Sequence, residues 1–127
     1  MTRQEMMTIV YNQLAIDYNC KPEDFYKDGV IFTIAEKHEG RREMPFITPR
    51  LEIITMGKGT IVNVSKNIIS FAKRKFEGKS SYEILTSKFV YGVNPYYLPD
   101  VENLKEIENK SFRFELIDSN IKLYIAI

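Results

Sequence analysis

Cysteine and histidine are nearly missing from this chain, with Cys20 and His38 the only examples among 127 residues. A single thiol excludes an internal disulfide and suits a reducing compartment, so a cytoplasmic protein is expected. A lone imidazole with no second histidine or cysteine at ligand spacing excludes the usual zinc patterns. Charge of one sign is lacking too. Eighteen basic residues stand against seventeen acidic ones, for a net charge of +1, so there is no global field to draw in nucleic acid or an anionic membrane. No apolar run approaches the ~20 residues of a membrane span, and the opening Met1-Thr-Arg-Gln-Glu5 carries no secretory core. We expect neither nucleic acid nor membrane as a partner. Internal repeats, low-complexity tracts and flexible linkers are also absent. What remains is 44% hydrophobic, enough for one buried core, and residues 1–127 read as a single domain.

Hydrophobic spacing sets the elements. Met6, Met7, Val10, Tyr11, Leu14, Ala15 and Tyr18 fall three and four apart, which predicts a helix from Thr2 with one apolar face. Asn19 can end it in the left-handed conformation, and Pro22 suits the first turn of a second, short helix. Val30–Ala35 is β-branched and reads as a strand, and the charged run Glu36–Glu43 as an exposed loop. Pro45 and Pro49 frame a short extended piece. Leu51–Met56 and Thr60–Val64 flank Gly57-Lys-Gly59 and predict a hairpin. Ser65 stands as the N-cap of a helix whose face is Ile68, Ile69, Ala72 and Phe76, with Lys73, Arg74 and Lys75 at its dipole-negative end and Gly78 after it. Ser80 and Glu83 have capping-box spacing before a third helix that buries Ile84, Leu85 and Phe89.

Gly92, Pro95 and Pro99 then keep Tyr91–Leu98 extended. Val101, Leu104 and Ile107 suggest a short helix, and Phe112–Leu116 with Ile121–Ile127 a terminal hairpin. An end so apolar must be covered, and an edge strand there offers its backbone to a second copy, so a symmetric homodimer is expected. The expected fold is α+β: an antiparallel or mixed sheet built from the strands near Val30, Leu51, Thr60 and Phe112, with the helices packed mainly on one face.

Two segments carry a resemblance. Ala15-Ile-Asp-Tyr-Asn-Cys-Lys-Pro-Glu-Asp-Phe25 and Tyr96-Tyr-Leu-Pro-Asp100 resemble the N-terminal region of a group of bacterial GNAT-superfamily N-acetyltransferases, over a stretch from Tyr11 to Asp100. The resemblance implies an accessory, non-catalytic domain that shapes the acceptor side or makes subunit contacts. It also implies a partner acetyltransferase domain that would begin about where this chain stops. Acetyl-CoA is thereby implied for a full-length relative and no cofactor for this chain. For the C-terminus it implies a helix from near Asp118, where the residues by themselves favour the hairpin. The alternative is a free-standing binding or dimerisation module, and a third reading is a small enzyme built on the loop around His38.

Motif by motif, the chemistry is sparse. Ile54-Thr-Met-Gly-Lys-Gly59 approaches the Gln/Arg-x-x-Gly-x-Gly/Ala loop that holds the acetyl-CoA pyrophosphate. Ile54 replaces the polar residue, however, and a β-branched run follows where a helix N-terminus is needed, so a hairpin turn is expected. His38, among Glu36, Glu39, Arg41, Arg42 and Glu43, has the surroundings of a base, and the plainer expectation is a solvated loop. Arg41, Arg42 and Arg50 could hold an anion, although their spacing does not single that out. Cys20 has no local histidine partner and is expected to be structural. Lys73, Arg74 and Lys75 could touch phosphates but suit the helix end better. Tyr91, Tyr96 and Tyr97 offer rigid contact area on a proline-stiffened backbone, although partial burial against the sheet is the default for tyrosine. The candidate interaction surface is therefore Tyr91, Tyr96, Tyr97, His38, Arg41 and Arg42, with no residue assigned to catalysis, cofactor or metal.

Overall fold

A strand without a polar face needs cover on both sides, and Thr60–Val64 is such a strand: all five residues are buried. The computed structural model describes residues 1–43 and 46–103. Thr60–Val64 (β3) is the middle of a three-stranded sheet. Val30–Ile34 (β1) pairs with it in parallel, Val30 opposite Thr60 and Ile34 opposite Val64. Leu51–Thr55 (β2) pairs with it antiparallel, Thr55 opposite Thr60 and Leu51 opposite Val64. The α+β class and the mixed sheet are as expected. So is the hairpin, with Thr55 closing its turn: its hydroxyl accepts from the Gly57 N–H at 3.1 Å and donates to the Gly59 carbonyl at 2.9 Å.

The helices do not gather on one face. Side chains alternate across β3, so Ile61 shares a cluster with Ile54, Leu14, Tyr18 and Phe25, with Ile31 packed against it. That face is covered by the helix Arg3–Asp17 (α1) and a 3-10 turn over Pro22–Tyr26. Val62 and Val64 point the other way, into a cluster with Ala72, Phe76 and Ile84. Those residues come from Ile69–Phe76 (α2) and Ser81–Leu85 (α3). Each fully buried aliphatic of β3 contributes about 1.5–3 kcal/mol, and contributions on both faces need helices on both.

Local signals placed the helix ends. The Thr2 hydroxyl accepts from the Glu5 N–H at 3.1 Å. At the far end of α1, Asn19 is left-handed (φ 52°), and the Cys20 and Asn19 N–H groups donate back to Ala15 and Ile16, a Schellman closure. The Ser80–Glu83 capping box forms in both directions, and Gly78 follows α2 with φ 74°. Three expectations need correction. Ser65 does not cap α2 with its side chain, because its hydroxyl accepts the Arg50 N–H at 2.6 Å across the strands; a 3-10 turn over Lys66–Ile68 leads into the helix instead. The third helix stops at Leu85, leaving Phe89 exposed and edge-on to Phe71. The turn of the hairpin comprises Met56–Gly59, one residue more than the glycines mark.

No helix among the described residues is long and apolar enough to cross a membrane. Of the helix expected over Val101, Leu104 and Ile107, residues 101–103 form a turn and the rest lies outside the described residues, as do the strand at Phe112, the terminal hairpin and the dimer contact at Ile121–Ile127.

Gly59 is fixed by contact rather than by turn geometry. Its N–H donates to the Phe25 carbonyl at 3.0 Å. A Cβ there would stand 2.5 Å from the Asp24 carbonyl oxygen and 2.6 Å from that of Lys27, whereas one at Gly57 would meet nothing within 4 Å. Neither backbone can yield without breaking the α1-side cover. Gly59→Ala is therefore expected to lose about 3 kcal/mol in urea unfolding, the upper range for overpacking, and Gly92→Ala, with nothing within 4 Å of the added Cβ and no left-handed φ, distinctly less; equal losses would show the close approach to be unimportant.

Candidate functional site

The site region grows from the last turn of α1. Asp17 is buried there, its side chain 1% exposed, and it accepts the Arg42 N–H at 3.0 Å and the Gln13 side-chain amide at 2.8 Å. The Arg42 guanidinium completes the set with a salt bridge to the same carboxylate. Gln13 also donates to the Gly40 carbonyl at 2.9 Å. The charged loop is thus strapped onto α1 rather than left in water. Burial alone would push the Asp17 carboxyl up, but the donors from Arg42 and Gln13 outweigh it and hold it below the ordinary carboxylate value.

On one flank of this anchor lies a groove of about 520 Å³, lined by Asn12, Ile16, Asn19, Cys20, His38 and Glu39 among others. His38 is half-buried, and its carbonyl accepts the Arg41 N–H at 3.1 Å; a freely solvated position was expected. Cys20 shares the groove, but burial, helped by the charge of Asp24, pushes its thiol up to about 12. A thiol so protonated is no nucleophile at neutral pH. Among the described residues no group of three or more His, Cys, Asp or Glu side chains could hold a metal ion.

On the other flank the basic residues converge. Arg41 and Arg50 stand with guanidinium carbons 5.2 and 5.3 Å from the centre of the Phe46 ring, and the Lys37 ammonium at 5.9 Å. Arg50 also forms a salt bridge with Glu52 on β2. Sequence spacing hid this cluster, since Lys37, Arg41, Phe46 and Arg50 share no period. Three cations within reach of one aromatic after an acidic-basic run was the available signal.

The tyrosine segment crosses the same region. Tyr96 comes within interaction range of the Tyr18 hydroxyl and the Arg42 guanidinium, and Glu102 accepts the Arg3 N–H at 3.1 Å. The segment thus doubles back along α1, from its C-terminal end to its N-terminal end. The default of burial against the sheet fails: Tyr91 is fully exposed, Tyr97 is 89% exposed and Tyr96 61%. Tyr96 and Arg42 are brought together and Arg41 lies nearby, while Tyr91 and Tyr97 face outward and His38 belongs to the groove. Gly59, part of the near-match to a pyrophosphate loop, spends its N–H on Phe25, so the hairpin reading of that motif holds. Compared with known proteins, the chain matches no family model, no curated protein and no solved structure.

Two outcomes follow from these environments. Native Cys20 should resist iodoacetamide at about pH 8, where an ordinary thiol with a pKa of about 8.5 reacts, and mass spectrometry should find it labelled only after unfolding. Rapid native labelling would contradict its burial. Asp17, depressed when folded, contributes stability that is present above the unfolded value of about 3.9 and is lost as pH falls through the folded value. Asp17→Asn is expected to lose about 2 kcal/mol at neutral pH, as for hydrogen bonds to a charged group. The gap from wild type should narrow below about pH 4. Asp24 shifts in the same direction, so the gap between the two proteins, rather than the wild-type curve, is the measurement. A gap that stays constant into acid would refute the role given to the charge.

Proposed function

We propose that this chain is a non-catalytic accessory domain of the kind that precedes the acetyl-CoA domain in GNAT-type acetyltransferases, and that the tyrosine segment is its contact surface. The observation that carries the reading is the exposure of Tyr91, Val93, Tyr96, Tyr97 and Leu98 on one extended stretch. Large amphipathic side chains displayed together suit a partner better than water. Pro95 and Pro99 hold the stretch extended, so little ordering entropy is spent on contact. The resemblance implies an acetyltransferase domain that begins about where this chain stops, downstream of this segment. Its occupant is then the catalytic domain of the same polypeptide, met on the acceptor side or at a subunit contact.

The high thiol pKa of Cys20 and the spent N–H of Gly59 support a supporting rather than a chemical role. The second reading, a free-standing module, would put another copy of the chain on the same tyrosines.

The reading is tested by following the encoding DNA past the codon for Ile127 and producing the extended protein. Tyr91→Ser with Tyr97→Ser should change the stability of the chain by less than about 0.5 kcal/mol, as for exposed positions. The same pair should weaken docking of the acetyl-CoA domain, measured by calorimetry on separately produced halves. An unrelated downstream sequence, or thiol release from acetyl-CoA by the isolated chain in the presence of amines, would overturn it. A dimer in light scattering that the double variant dissolves would favour the second reading.

A further inference from the structure

We propose that Lys37, Arg41 and Arg50, gathered on Phe46, form a binding site for a phosphate dianion. This inference is independent of the accessory-domain reading. Like charges brought to one ring repel, and the ring face offsets only part of that cost. The local ledger of charge shows what is left over. Arg42 is matched by Asp17 and Arg50 by Glu52. Among the described residues Lys37 and Arg41 form no ion pair, and Glu36, Glu39 and Glu43 of the same loop are exposed and pair with none of these cations. Among the described residues two positive charges therefore remain beside the ring.

A second observation points the same way. The Nε–H of Arg41 is shut off from water and has no acceptor among the described residues. A buried donor in that state costs about 1–3 kcal/mol until an acceptor arrives. A carboxylate would cancel one of the two charges; a phosphate dianion cancels both and offers several oxygens to the planar guanidinium fork. The size of the cluster favours a small ligand over nucleic acid, which needs a longer basic track. Lys73 and Arg74, the exposed cations on α2, belong to a different element. The phosphate is either free or carried on an organic ester.

The full chain, isotope-labelled, is titrated by NMR with inorganic phosphate, with phenyl phosphate and with acetate at matched ionic strength and mildly alkaline pH. Both phosphates should give saturable shifts confined to the amides of residues 37–52, and acetate none. Tighter binding of phenyl phosphate identifies an ester as the natural ligand, and equal binding identifies free phosphate. Arg41→Gln should weaken binding about tenfold, as for a lost charge-assisted pair, and Arg41→Lys should recover part of it. Lys37 is exposed, so Lys37→Gln will fold and should also weaken binding, whereas Lys73→Gln on α2 should not. Shifts that rise linearly and equally with acetate and phosphate, or saturable binding unchanged in Lys37→Gln and Arg41→Gln, would overturn the site.

Discussion

The carbonyl of Tyr18 is the joint on which the arrangement turns. It is the C-cap residue of α1, and it accepts the Thr33 hydroxyl at 2.6 Å and the Asn63 side-chain amide at 3.0 Å. Asn63 donates its other proton to the Thr33 hydroxyl at 2.9 Å. A helix-terminal carbonyl, a half-buried edge-strand threonine and a buried central-strand asparagine thereby satisfy one another. Unmet, each of those polar groups would be a liability of the size of a whole core side chain. Asn19, one residue on, adds a bond from its amide to the Ile34 carbonyl at 3.0 Å. Because α1 is pinned to β1 and β3 at this point, Asp17 has a fixed position, and from Asp17 hang Arg42, the charged loop and the crossing of Tyr96.

How far the residues announce this depends on the reach of each interaction. The Thr2 cap, the left-handed Asn19, the Ser80–Glu83 box and the hairpin involve partners within a few positions, and each is legible from spacing and residue type. Ser65 looks like a helix cap for the same local reason, yet its hydroxyl is taken by Arg50, fifteen residues earlier. Gly59 looks like a turn glycine, and it is a close-packing glycine against a backbone more than thirty positions away. The apolar run of β3 does carry the information that both of its faces are buried, since Ile61 and Val62 are adjacent and must point apart. Helices on one face alone would leave one of the two uncovered.

The candidate surface divides along the same line. Arg41 and Arg42 are neighbours in sequence with separate tasks, because a change of one residue in this loop swings a side chain from the Asp17 carboxylate to the Phe46 ring. His38, grouped with them by sequence, lines the groove beside Cys20. Tyr91, Tyr96 and Tyr97 stand close together in sequence, and of the three Tyr96 reaches back to Tyr18 and Arg42. No period or motif records such assignments; they follow from where α1 ends.

The energetic contrast between the core and the tyrosine segment bears on function. The core rests on fully buried Phe25, Phe76, Ile61 and Ile84 and on a closed polar network. The segment rests on Tyr96 at one end of α1 and Glu102 at the other, both in reach of water. Exposed polar ties of this kind contribute about 1 kcal/mol or less each, so the stretch can lift or be covered without loosening the domain beneath it. A contact surface with those properties can be remodelled by a partner at small cost. Its path is still set, because Tyr96 is aimed by the same helix end that the buried Asn63 holds in place.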